Sequence, residues 1–226
     1  MGETIRLTSK KDGFEFAAYR APHKDARRGG LVVIQEIFGV NAHIRELADS
    51  FAEEGFETIA PSFYDRLQPG FETGYEGEGR QQGVQFSQAT PWDQVAGDMQ
   101  AAIDALSGPV FAVGYCWGGA AAWLAGARCK GLSAVSCYYG RRISDLLDEP
   151  PKVPAILHFG RTDASIPMER VDEIAERYPD IPIHLYDAGH GFSCDQRADY
   201  APDAARLARL RTLQLFARNM GVRAEM

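Results

Sequence analysis

Val110-Phe-Ala-Val-Gly114-Tyr-Cys-Trp-Gly-Gly119, followed by the alanine-rich run 120–127, is the stretch whose reading decides the fold. The apolar run 110–113 predicts a strand buried on both faces, and the alanines that follow predict a helix. Between them, Gly114-Tyr-Cys116-Trp-Gly118 makes a strand–turn–helix elbow with cysteine where serine is usual. Side chains two positions before and after Cys116 would clash in so tight a turn, which explains the glycines. The turn lifts the thiol clear of the sheet at a helix N-terminus, where unpaired N–H groups and the helix dipole favour an anion. A buried, inert cysteine in a glycine-rich turn is the competing reading of these residues alone.

Outward from the elbow, strands and helices alternate. Segments 5–8 and 14–19 alternate apolar and polar residues around Lys11-Asp-Gly13 and predict an antiparallel hairpin at a sheet edge. Leu31-Val-Val-Ile34 predicts a fully buried strand. Asn41 is placed to cap a helix carrying Ile44, Leu47, Ala48 and Phe51 on one face and stopping at Gly55, with a strand over 57–60 beyond it. This βαβ unit points to a parallel sheet. Residues 62–90 are rich in Gly, Gln and Glu, show no sustained period, and are expected to form a long loop. Its aromatics either anchor a surface excursion or form a substrate-covering lid. Thr90-Pro-Trp-Asp93 reads as a capped helix start, and Trp92, Val95, Met99, Ala102, Ile103 and Leu106 trace its core face. Strands are expected over 132–137, 154–159 and 183–186, with a helix over 167–177. A terminal helix near 202–219 is expected to bury Leu207, Leu210, Leu213 and Ala217. No repeat or linker breaks the pattern, so one domain over 1–226 is expected.

The net charge of −7 argues against nucleic acid or anionic membrane as the main partner, while leaving room for a local basic pocket. No apolar run approaches the roughly 20 residues of a membrane helix. Met1-Gly-Glu-Thr-Ile-Arg6 lacks a secretory pattern, and Cys116, Cys129, Cys137 and Cys194 form no C-x-x-C pair or zinc-like spacing. A cytoplasmic, reduced protein is therefore expected; a monomer without metal or cofactor is expected alongside it.

In an open parallel sheet, reactive groups gather beyond the carboxyl ends of the strands. Cys116, Asp163 and His190 each follow such a strand, in the order nucleophile, acid, histidine. Cys116 would attack, His190 would move the proton, and Asp163 would orient and stabilise the imidazolium. The main-chain N–H groups of Trp117 and Ile37 would form an oxyanion hole. Taken singly, Asp163 could cap the helix near Pro167 and His190 could be a turn residue. The ordered set is harder to produce by accident.

The motifs Gln35-Glu-Ile-Phe-Gly39, Gly114-Tyr-Cys-Trp-Gly-Gly119, Gly160-Arg-Thr-Asp163 and Ala188-Gly-His-Gly-Phe192 span nearly the whole chain. Together they resemble the dienelactone hydrolase (carboxymethylenebutenolidase) family of α/β-hydrolases. The resemblance implies an α/β-hydrolase fold, a Cys116–His190–Asp163 triad, and a role for Glu36 in contacting the resting thiol and moving when substrate arrives. From the residues alone, Glu36 could also be a helix-start acid. The resemblance also implies arginines for a substrate carboxylate, with Arg80 matching the first. No arginine lies immediately after Phe192, and Arg197 is the candidate for the second. That departure bears on the substrate more than on the reaction. The expected activity is cofactor-free hydrolysis of a small lactone or ester, with or without a carboxylate, dienelactone to maleylacetate being the prototype. A general short-chain esterase and a non-catalytic thiol sensor or ligand-binding protein are the rivals.

Overall fold

A computed structural model describes residues 2–221. One sheet of eight strands organises the chain, in the order β1-β2-β4-β3-β5-β6-β7-β8. The hairpin of β1 (Glu3–Thr8) and β2 (Glu15–Ala21) is antiparallel and occupies one edge, with β2 also antiparallel to β4 (Phe56–Pro61). From β4 onward every pairing is parallel, through β3 (Gly29–Ile34), β5 (Val110–Tyr115), β6 (Leu132–Tyr138), β7 (Ala155–Gly160) and β8 (Ile183–Tyr186). Strands β3, β5, β6 and β7 are buried at every residue, which requires cover on both faces. Of these, β3 and β5 hold the continuous apolar runs of the sequence.

Helix α1 (Ala42–Glu53) starts where expected, with the Asn41 side chain accepting a hydrogen bond from the Ile44 N–H at 3.2 Å. Helices α3 (Trp92–Asp104) and α4 (Trp117–Arg128) pack on each other, and α4 lies against β5 and β6. The α5 helix (Met168–Arg177) precedes β8. No helix among the described residues is long and apolar enough to cross a membrane.

Three expectations need correction. First, residues 77–89 are not loop but a helix, α2 (Gly77–Ala89), and a 3-10 turn also spans Arg141–Leu146. The α2 sequence hides its helix because its buried positions are Gly83 and Ser87 rather than an apolar stripe. Gly83 lies so close to the loop after β3 that a Cβ there would come within 2.3 Å of the Ile37 carbonyl oxygen. The contact selects for smallness, which leaves no hydrophobic period to read. The aromatics do anchor the segment, with Phe86 packing 4.7 Å from Phe71 and 5.8 Å from Tyr64 between ring centroids.

Second, Thr90 does not cap α3. Its hydroxyl donates to the Phe86 carbonyl at 2.8 Å and closes α2, and Pro91 takes the cap position of α3 without a side-chain hydrogen bond.

Third, helix α6 (Pro202–Arg218) turns a different face inward. Ala208, Thr212 and Phe216 are buried, whereas Leu207 and Leu210 are 41% and 52% exposed, Leu213 is half-buried and Ala217 is exposed. The buried face is chosen by its partners. Phe216 stacks 4.6 Å from Phe111, and Thr212 joins a buried polar group with Ser136, Tyr138 and His158. Those hydroxyl and imidazole groups would be costly to bury unpaired.

Candidate active site

The elbow places Cys116 at the junction of β5 and α4 with φ 55° and ψ −116°, a strained conformation for a residue with a side chain. Its N–H donates to the Tyr138 carbonyl at 3.0 Å, and its carbonyl accepts from Gly119 N–H at 3.0 Å. The flanking glycines are required sterically. A Cβ on Gly114 would lie 1.8 Å from the Gly118 oxygen, and one on Gly118 would lie 2.4 Å from the Gln35 oxygen. Only one other described non-glycine residue has positive φ, Tyr139 at the end of β6. Its ring stands edge-on to His190 at 5.1 Å.

Three strand ends bring Cys116, His190 and Asp163 together. His190 Nε2 lies 3.1 Å from Cys116 Sγ, and its Nδ1 lies 2.7 Å from Asp163 Oδ2. Burial alone would lower the pKa of His190. The neighbouring sulfur charge and the Asp163 carboxylate outweigh it and raise the value to about 10. Burial likewise pushes Asp163 upward, but hydrogen bonding and charge from His190, with help from Ser165, leave it below the usual carboxylate range. Ser165 was missed from the sequence. Its N–H and hydroxyl donate to Asp163 Oδ1 at 2.8 and 2.6 Å, and its oxygen lies 3.1 Å from His190 Nδ1. The signal was there, since an Asp followed two positions on by Ser is an Asx-turn pattern.

The other thiols are held protonated by burial, Cys129 pushed up to about 12, Cys194 to about 11, and Cys137 higher still. Among the described cysteines, only Cys116 meets both an imidazole and an open cleft.

Glu36 is buried directly after β3, but its partner is Arg197, with Nη1 to Oε1 at 3.3 Å; its second oxygen has no hydrogen-bond partner. The expected contact with the thiol is not made, because Glu36 is drawn instead to the guanidinium of Arg197. Arg197, the candidate for the second arginine, is thus brought to the site by the loop after β8. It lines a cleft of about 960 Å³ together with Arg80, Ile37, Cys116, Trp117 and His190. Ile37 and Trp117 line the same cleft as Cys116, Trp117 being the first residue of α4. The sequence reading missed Arg141, Arg142 and Arg170, which also line this cleft. Arg142 is fixed by Asp145 at 2.9 Å and the Ser87 carbonyl at 3.1 Å, over the Trp92 ring at 4.7 Å.

His43, Cys194 and Asp195 are the described residues that could offer metal ligands together, their donor atoms lying within 4.8 Å of one another. His43 Nδ1 is already 3.4 Å from Asp195, whose carboxylate is exposed, and all three lie outside the cleft lining.

The family model for the dienelactone hydrolase family matches residues 16–220. The chain belongs to the dienelactone hydrolase family. It is 34% identical to the carboxymethylenebutenolidase of Pseudomonas putida over 219 residues, covering 91% of this chain and 92% of the other. A candidate carboxymethylenebutenolidase of Synechocystis is 35% identical over 237 residues, covering 95% and 96%. The crystal structure of a candidate dienelactone hydrolase from Klebsiella pneumoniae superposes with a TM-score of 0.80 at 28% identity, covering 96% and 99%. The fold is that of the α/β-hydrolases, and this family member is an enzyme that hydrolyses an ester or lactone.

Proposed function

We propose that this hydrolase opens a small carboxylated lactone or ester of the dienelactone type, giving maleylacetate from dienelactone, through a thioester on Cys116. The observation that carries the reading is one imidazole bridging a sulfur at 3.1 Å and a buried carboxylate at 2.7 Å. Cys116 Sγ attacks the carbonyl carbon, and the oxyanion forms against the N–H groups of Trp117 and Ile37. His190, carrying a proton on the side that faces the sulfur, passes it to the departing oxygen as the acyl–oxygen bond breaks. In a lactone that oxygen stays tethered to the acyl chain as an enol. A water molecule then gives its proton to His190 and attacks the thioester, releasing the acid and the thiol. Asp163 keeps the imidazole in register and stabilises its charged form. Arg197 and Arg80 face the substrate's carboxylate, and Glu36 sets the position of Arg197 through their ion pair.

Cys116→Ala tests this. Turnover of an aryl acetate and of dienelactone should fall by about three orders of magnitude or more, because the covalent step has no substitute. Circular dichroism should show the fold intact. A folded Cys116→Ala protein with near wild-type turnover overturns the assignment.

A further inference from the structure

The cleft is far more basic than the protein that contains it. Five arginines line it, Arg80, Arg141, Arg142, Arg170 and Arg197, against one carboxylate, Asp145, in a chain of net charge −7. Three of the five are already neutralised within the protein. Arg142 is taken by Asp145, Arg170 by Glu173 at 3.0 Å, and Arg197 by Glu36. The guanidinium groups of Arg80 and Arg141 make no ion pair or hydrogen bond among the described residues. Unpaired like charges on the walls of one cleft repel each other and concentrate a positive potential there. Such an arrangement attracts negative charge at two points.

The two points belong to different parts of the fold. Arg80 stands near the start of α2, while the Ser87 carbonyl, further along, accepts from Arg142, the neighbour of Arg141. Arg80 and Arg141 thus sit on two different elements of the cleft wall, α2 and the 3-10 turn that begins at Arg141. A single carboxylate on a small ring meets one of them and leaves the other unmatched. The cleft volume of about 960 Å³ also lies near the upper end of the range for drug-sized ligands, well beyond one lactone ring.

We propose that Arg141 forms, with Arg80, a two-point anion site, and that the preferred substrate is an ester carrying two acid groups, one for each arginine. This deepens the function proposed above and rests on it for the reaction. Arg141 is a specificity residue here, acting on the second acid rather than on the scissile bond.

The test uses matched aryl esters with no carboxylate (phenyl butyrate), one (monophenyl glutarate) and two (mono-(4-carboxyphenyl) glutarate). Wild-type kcat/KM should rise at each step, the second acid adding about fivefold, as suits an exposed charge pair. That gain should shrink with added salt. In Arg141→Ala the ratio of diacid to monoacid should fall to near one, and Arg141→Lys should restore part of it. A phosphate ester in place of the aryl carboxylate forms a second arm, and a larger ratio there assigns the acid as phosphate. An unchanged ratio in Arg141→Ala, or no wild-type preference for the diacid, overturns the proposal. Should the wild type hydrolyse none of the esters, the reaction reading fails by itself. Calorimetric binding of the diacid and monoacid to Cys116→Ala, with and without Arg141→Ala, then decides the anion site. Equal affinities for both esters would sink it.

Discussion

His158 is fully buried and His190 partly so; both lie near the carboxyl ends of neighbouring strands and both touch a hydroxyl, yet they are held in opposite charge states. His158 is fully buried in β7, with Nδ1 2.9 Å from the Tyr186 hydroxyl and Nε2 3.2 Å from the Thr212 hydroxyl. Burial, together with the positive neighbours His184 and Arg211, holds it well below 6.5 and so neutral. Burial also pulls His190 down, but it faces a sulfur and a carboxylate, and rises to about 10. Partners rather than burial decide whether a buried imidazole is a fixed neutral strut or a proton carrier.

The comparison breaks most completely at Asp163. Asp163→Asn removes one of the two charges that hold His190 up, so the alkaline limb of the kcat/KM profile should move down from near pH 10. The rate should drop by about 10³–10⁴-fold, as when a triad carboxylate is neutralised. An unmoved alkaline limb would mean that Asp163 does not set the charge of His190.

The two histidines should also tilt stability in opposite directions with pH. His190 has a raised folded pKa, so its stabilisation is present below about 6.5 and is lost as pH rises toward about 10. His158 has a lowered folded pKa, so its contribution is present above about 6.5 and is lost as pH falls, when the unfolded chain takes up the proton. His158→Gln should cost about 1–3 kcal/mol near neutrality by disturbing the Tyr186 and Thr212 contacts. It should flatten the acid side of the urea-derived stability profile while leaving turnover intact. A steep acid slope surviving in the variant would put the titrating group elsewhere.

Ser165→Ala sharpens the comparison by a smaller step. It removes the hydroxyl shared by Asp163 and His190 but keeps the Ser165 main-chain contact. A loss of about 1 kcal/mol, or roughly fivefold in kcat/KM, is expected, with the fold unchanged. A loss as large as that of Asp163→Asn would make Ser165 a proton-handling group rather than a support.

Legibility in the sequence followed the range of the interactions. The elbow was readable because its constraints lie within a few residues of Cys116, and the glycines record close approaches that no side chain permits. The places after β5, β7 and β8 were readable because strand ends in a parallel sheet converge by topology. Helix α2 was not, since its packing face is a glycine against the Ile37 carbonyl. Nor was the inward face of α6, where leucines point outward so that Thr212 can satisfy His158, Ser136 and Tyr138.

By itself, then, the sequence determined the parallel sheet, the elbow and the order of Cys116, Asp163 and His190, because buried strands, tight turns and connection order are written in local residue choice. The tertiary structure alone decided that Glu36 pairs with Arg197 and not with the thiol, and that Ser165 supports Asp163. It alone decided that Arg141 shares a cleft with Arg80. Charges find partners through space, and the chain's order does not record which side chains a fold will bring within a few ångströms of one another.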